Sequence, residues 1–213
     1  MTPGELAAKA ALTRPRIADE REAEILDAAV RVLAKVGYDR LTMDQVAAEA
    51  HASKASLYRH WSSKAELVVD AISKAKGLPE VAPNTGSLRG DLMATWCGHQ
   101  NSHQSLPVSV TSGLMSAMHA DEELAAAFRE RFLEPRRTEW LKVGERARQR
   151  GEIAEGVDIE LVLTLLPALC SHYGVVLGKQ LDQAFIERLI DEVVVPVAQR
   201  ASSPERGSGE AIS

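Results

Sequence analysis

Aromatic side chains are scarce in this chain: three each of Trp, Tyr and Phe, 4% of 213 residues. With Ala and Leu dominant, that composition favours packed helices over sheets. Cysteine occurs only at Cys97 and Cys170, far apart, with no CxxC pair. That excludes a disulfide scaffold and leads us to expect a reduced, cytoplasmic protein. The N-terminal MTPGELAAKAALTRPR lacks the long apolar core of a secretory signal. Catalytic signatures are missing too. There is no GxSxG, no Gly-rich phosphate loop and no HExxH, and the histidines form no triad. Neither an enzyme nor a resident cofactor is indicated.

Positive charge is also short, at −5 net, which ordinarily argues against a nucleic-acid binder. The distribution reverses that argument. Residues 1–76 hold 12 Lys+Arg against 11 Asp+Glu, a balance of +1. The rest holds 25−12 = 13 basic and 30−11 = 19 acidic residues, a balance of −6. A local cationic surface on an acidic, soluble body remains possible.

That surface is found between Thr42 and Glu66. Met43, Val46, Ala47 and Ala50 recur at helical spacing, and Thr42 with Gln45 forms a capping box. After a His51-Ala52-Ser53 turn, Leu57 and Trp61 point inward and are read as core. Lys54, Ala55, Tyr58 and Arg59 take the opposite, exposed face. Ser63 with Glu66 makes a second box, placing Lys64 in the first turn of the next helix. From Ala50 to Ala65 there are three cations (Lys54, Arg59, Lys64), two histidines and no carboxylate. This is the chemistry of a helix-turn-helix laid into a DNA major groove.

Thr42, the run Ser53-Lys54-Ala55-Ser56-Leu57-Tyr58-Arg59-His60-Trp61, and Lys64 with the acidic residue and Leu67 beyond it resemble the TetR family of bacterial transcriptional regulators. The resemblance covers roughly residues 20 to 70, and the segment from Glu134 to Ile153 (PRRTEW…RGEI) is similar to C-terminal domains of one TetR subgroup. It departs from the family pattern at His51, where the family usually has Gly. A positive φ is expected there, which His tolerates at some cost.

The resemblance implies that Tyr58 and His60 touch the sugar-phosphate backbone. Lys64, at a helix start, and Thr42 suit phosphate contacts, although the Thr42 hydroxyl also serves as a cap. Lys54, Ala55, Ser56 and Arg59 are candidates for base edges, Arg59 by a bidentate contact to guanine and Ala55 by permitting close approach.

The expected fold is all-α: an N-terminal three-helix helix-turn-helix domain and a C-terminal helical ligand-binding and dimerisation domain. Residues 1–18 read as a flexible arm in which Lys9, Arg14 and Arg16 could reach a minor groove. The DNA-binding domain spans 19–76, its first helix running from near Asp19 to Val36 and ended by Gly37. Pro79, Pro83 and Gly86 punctuate the boundary. Helices then fill 77–200: Ser87 to about Gln104, another to about Ala120, and a long one from Asp121 to Arg150 bent at Pro135. A helix from Asp158 and a last one from Leu181 to about Arg200 follow. The inner stripe of the last is Phe185, Ile186, Leu189, Ile190, Val193 and Val197. Residues 201–213 read as a disordered tail.

Leu161 to Gly178 carries no Asp, Glu, Lys or Arg, close to the ~20 residues that span a bilayer. Thr164, Pro167, Ser171, His172 and Gly174 interrupt it, and burial between subunits explains it better than a membrane. The helices at 158–178 and 181–200 are therefore the expected homodimer elements, giving a four-helix bundle and a palindromic operator on double-stranded DNA.

A small-molecule effector is implied by the resemblance. Met93, Trp96, His99, Gln100, His103, Met115, Met118, Trp140, Cys170 and Tyr173, with Cys97 and His172, offer walls for an apolar organic ligand. Two alternatives stand beside it. His99 and His103, four apart on one helix face, could begin a metal site, although two ligands do not close one. A helical interaction protein that never meets DNA would explain the dimer helices, but not the acid-free reading helix.

Overall fold

Thr42, Ser53 and Ser63 hold an extended backbone at three helix starts, and each side-chain oxygen accepts the N–H three residues on. Those caps divide the N-terminal half into short helices. The computed structural model describes residues 3–77, 81–97 and 106–200. All of its regular elements are helical, and they fall into two compact units.

The first unit comprises residues 1–78 and 102–135. It contains α1 (Pro3–Val36), α2 (Met43–Glu49), α3 (Lys54–His60), α4 (Lys64–Lys76), α6 (Val108–Ala120) and α7 (Glu122–Phe128). The second comprises residues 79–101 and 136–213, with α5 (Leu88–Cys97), most of α8 (Glu134–Gln149), α9 (Ile159–Ser171), α10 (Gln183–Leu189) and α11 (Val195–Gln199). The first unit thus holds more than residues 19–76, because α6 and α7 share one core with the reading motif.

Helix α1 begins at Pro3 rather than near Asp19. The Ala-rich run from Leu6 to Leu12 has the highest helix propensity in the chain's start, and Pro is tolerated in a first helical turn. The expected arm is therefore helical in its backbone, while the side chains of Lys9, Arg14 and Arg16 lie outside the described residues. The end of α1 falls at Val36 as expected, with Gly37 left-handed (φ 77°). Ile25, Leu26, Ala29, Val32 and Leu33 are buried on α1, facing Leu67, Val68, Ala71 and Ile72 of α4 in the same core.

Three π-helical turns interrupt the later helices, at Arg129–Leu133, His172–Val176 and Ile190–Val194. Two of them end two residues before a proline, Pro135 and Pro196. A proline has no N–H and its ring crowds the carbonyl four residues back, so a wider turn there relieves both problems. The interruption expected at Pro135 therefore lies upstream of it, where Glu134 N–H reaches Arg129 O. The second turn also moves a buried stripe. A π turn advances the helix face by one residue, so beyond Ile190 the buried positions are Val194 and Ala198. Val193 is only half-buried and Val197 is exposed, which corrects the expected stripe.

In the second unit, α8 and α9 approach closely at Gly144. A Cβ there would lie 2.1 Å from Ile159 Cγ2 and 3.2 Å from Leu163 Cδ1. The segment Ile159–Val176 is apolar and long enough to cross a membrane by length and composition alone. Its exposed apolar residues, Leu161 and Val176, are joined by Leu177, Leu181 and Val197 of the same unit.

Candidate nucleic-acid interface

Helix α3 is seven residues long, too short to be stable by itself, so packing and caps must hold it. Leu57 and Trp61 are fully buried on its inner side, 0% and 1% exposed. Ser53 Oγ caps it through Ser56 N–H at 3.1 Å and also shares a bond with Ser56 Oγ at 2.8 Å. Ser56 is consequently half-buried and engaged. Lys54, Ala55, Tyr58 and Arg59 are exposed, as the spacing predicts, and so is His60.

Helix α2 is fixed reciprocally. Gln45 N–H donates to Thr42 Oγ1 at 3.2 Å, and Thr42 N–H donates to Gln45 Oε1 at 2.9 Å. Glu66 behaves differently from the expected box. Its carboxylate takes the N–H of Ser62 at 2.8 Å while Ser63 Oγ caps the Glu66 N–H at 3.3 Å. In the turn, His51 has φ +50°, and Arg21 on α1 donates to its carbonyl at 2.7 Å. The strained residue is thereby pinned from outside the motif.

The folded surface is less purely cationic than the stretch Ala50–Ala65. Asp44 on α2 lies 2.9 Å from the Lys54 ammonium, whose pKa the Asp44 hydrogen bond raises. Glu22 on α1 comes within 3.9 Å of His60 Nδ1. Among the described residues Arg59 has no ion pair or hydrogen bond, which leaves its guanidinium available. Lys54 also sits 5.9 Å from the Tyr58 ring centroid.

Lys64 is half-buried. Its ammonium lies 4.3 Å from the centroid of the Tyr38 ring and donates to the Tyr38 carbonyl at 3.4 Å. Tyr38 in turn donates to Asp121, the N-cap of α7, at 3.1 Å. Burial, with that carboxylate beside it, pushes the Tyr38 phenol up. The Leu124 N–H, assisted by the Tyr38 hydroxyl and Lys64, holds Asp121 below the ordinary carboxylate range. Sequence placed Asp121 at the start of a helix, and it does cap α7, but Tyr38 and its bond to Asp121 were not singled out.

The residues expected to line an effector site fall in both units. Met115 is exposed on α6 and Met118 packs into the core of the first unit. Met93, Trp96, Cys97 and Trp140 pack against the core of the second, which includes buried Cys170. There Trp96 and Trp140 face each other with centroids 6.1 Å apart, and Tyr173 lies 4.7 Å from Phe185. A crevice of about 10 Å³ opens beside the tryptophan pair, lined also by Leu92, Thr95, Val143 and Leu163. That is room for one water, against the roughly 300–1,000 Å³ of ordinary ligand pockets. His172 is exposed. His99, Gln100 and His103 lie outside the described residues, and the metal alternative with them.

Residues 25–71 match the model for bacterial regulatory proteins of the tetR family. Residues 82–193 match that for the tetracyclin repressor-like C-terminal domain. A DNA-binding transcriptional repressor TetR of Mycobacteroides abscessus is 39% identical over 178 residues, 83% of this chain and 93% of that protein. An uncharacterized HTH-type transcriptional regulator of Mycobacterium bovis is 32% identical over 193 residues, covering 89% and 94% respectively. Among solved structures, the crystal structure of a TetR family transcription regulator aligns with a TM-score of 0.61 and 27% identity. That alignment covers 82% of this chain and 97% of the other. Both halves of the sequence thus find counterparts in one group, and the chain belongs to the TetR family of bacterial transcriptional regulators.

Proposed function

We propose that the protein is a cytoplasmic homodimeric repressor that binds a palindromic operator and is released by a small, largely apolar effector. The carrying observation is the exposed face of Lys54, Ala55, Tyr58, Arg59 and His60 set on a buried Leu57–Trp61 anchor. Arg59, free of partners among the described residues, reads base edges, with Lys54, Ala55 and Ser56 beside it. Tyr58, His60, Lys64 and Thr42 bear on the sugar-phosphate backbone. Repression is favoured because the M. abscessus relative is named a repressor.

One reading motif buries too little surface for specific binding, so two copies are required. The exposed Leu161, Val176, Leu177, Leu181 and Val197 support a subunit interface along α9 to α11. Exposed apolar side chains on neighbouring elements are what a dimer covers. For the effector, the crevice at Trp96 and Trp140 is the starting point, and it must widen by displacement of these rings. An effector can release DNA only if it prefers the non-binding spacing of the heads.

The test is a mobility-shift titration with the DNA upstream of the protein's own gene, run beside a sedimentation measurement. A dimer that shifts this duplex is expected. A monomer indifferent to duplexes at low ionic strength would refute the reading. A thermal-shift screen of apolar metabolites then addresses the effector, since binding to the native state raises its stability.

A further inference from the structure

Trp61 ends α3 and is almost wholly enclosed. A buried indole N–H needs an acceptor. Here Trp61 Nε1 donates to Asp70 Oδ2, on α4, at 2.9 Å. The same carboxylate receives a fork from Arg131, with Nε to Oδ1 at 3.0 Å and Nη2 to Oδ2 at 2.6 Å. Arg131 Nη1 is also 3.8 Å from Glu66. Asp70 thus fastens the end of the reading helix to the π turn at Arg129–Leu133, within the first unit. Arg131 lies outside the stretch matched by the DNA-binding family model and inside that matched by the C-terminal one.

We propose that Asp70 and Arg131 are positioning residues for DNA reading: their bidentate pair fixes the Trp61 indole, and with it the angle at which α3 presents Tyr58, Arg59 and His60. The proposal rests on the reading of α3 as the DNA-facing helix. The Ser53 cap and the Lys54–Asp44 pair hold the start of this two-turn helix and the Trp61 anchor holds its end, where a planar fork on a carboxylate constrains direction as well as distance. Neither Asp70 nor Arg131 needs to touch nucleic acid for this role. The competing explanation is electrostatic, with Arg131 adding to the attraction for phosphate and Asp70 subtracting from it.

The two explanations predict opposite signs for Asp70→Asn. Removing a carboxylate near DNA tightens binding if charge alone matters. If positioning matters, Asn cannot hold both the indole and the fork, and binding weakens by about tenfold. The full-length protein is titrated with a duplex that the wild type selects from a random library, over a range of salt. Expected are a tenfold loss for Asp70→Asn and for Arg131→Met, a double variant no worse than either, and a wild-type salt slope throughout. Arg131→Lys, which keeps the charge and loses the fork, should recover only part of the affinity. Asp70→Asn binding as tightly as wild type or tighter overturns the proposal. So does a loss that merely follows a fallen melting midpoint in all three single variants. If the wild type selects no duplex, the DNA reading fails and positioning is judged by hydrogen exchange. In that case the Trp61 indole N–H must exchange at least tenfold faster in Arg131→Met, and unchanged protection overturns the proposal.

Discussion

The Lys54 ammonium lies 2.9 Å from Asp44 Oδ1 and 3.0 Å from Oδ2, spanning the two helices of the reading motif. Both side chains are more than half exposed, 55% and 67%, so the pair adds little to stability. Its consequence falls on DNA, because any contact that Lys54 makes there, to a base edge or to the phosphate flanking it, must compete with Asp44. Asp44→Asn should leave the unfolding free energy within about 0.5 kcal/mol of wild type. It should tighten binding to all duplexes and steepen the slope of log affinity against log salt by about one. Fluorescence anisotropy between low and moderate salt measures both. An unchanged slope would show that Lys54 makes no phosphate contact.

How much of this was legible beforehand depends on range in sequence. The caps at Thr42 and Ser63, the buried Leu57 and Trp61 and the exposed face of α3 are local, so spacing and residue type disclose them. The positive φ at His51 was legible through the family resemblance, which usually places Gly there. The partners of Lys54, His60, Trp61 and Lys64 were not, since Asp44, Glu22, Asp70 and Tyr38 arrive from other helices or other faces. The shift of the buried stripe from Val193 and Val197 to Val194 and Ala198 was hidden as well. A 3.6-residue period assumes an unbroken helix, and the π turn before Pro196 adds one residue to the count. Dispersal of the methionines between two units was invisible because a side chain suited to a pocket is equally suited to a core.

Arg59 and Lys64 should fail in different ways. Arg59→Ala removes an exposed guanidinium, and is expected to cost about 1–3 kcal/mol on the preferred operator and relax preference at one or two base positions. Lys64→Ala should weaken all sequences alike and lower the salt slope by about one. It also removes the cation from the face of Tyr38, so some loss of stability accompanies it. Binding of both variants to an operator library distinguishes the roles. Identical preference profiles would refute the division.

His51 occupies a left-handed conformation that Gly adopts without cost. His51→Gly should therefore stabilise the protein by about 0.5–1 kcal/mol, relief of strain outweighing the added freedom of the unfolded chain. His51→Val should destabilise it by about 1–3 kcal/mol, a β-branched residue being least suited to this region. The contact from Arg21 goes to the carbonyl and survives both changes. Denaturant unfolding gives the order, and a Val variant as stable as the Gly variant would remove strain as the explanation.

Asp121 supplies a pH test. Its folded pKa lies below the ordinary value because the Leu124 N–H, Tyr38 and Lys64 favour the carboxylate. The stabilisation is then complete above the unfolded value, about 3.9, and is lost as pH falls through the folded one. Asp121→Asn keeps a capping oxygen but no charge. The variant should be less stable than wild type at neutral pH, and the two should converge as acid protonates the wild-type carboxylate. Chemical unfolding at a series of pH values records the difference. A gap that stays constant into acid would assign the effect to shape rather than to charge.

Gly144 is where propensity and packing disagree. On an isolated helix Ala exceeds Gly by about 1 kcal/mol. In the fold, the added methyl would meet Ile159 Cγ2 at 2.1 Å, far inside contact distance, with Leu163 Cδ1 next at 3.2 Å. Ile159 is β-branched and opens α9, so its Cγ2 cannot turn aside without leaving its rotamer or moving the helix. Overpacking of this kind costs about 1–3 kcal/mol, which exceeds the gain in propensity. Gly144→Ala should be destabilising, and Ile159→Ala should be less harmful in that background than in wild type. A double-mutant cycle in denaturant measures the coupling directly. Strict additivity would mean that α8 and α9 separate freely, and that glycine at this position serves no packing purpose.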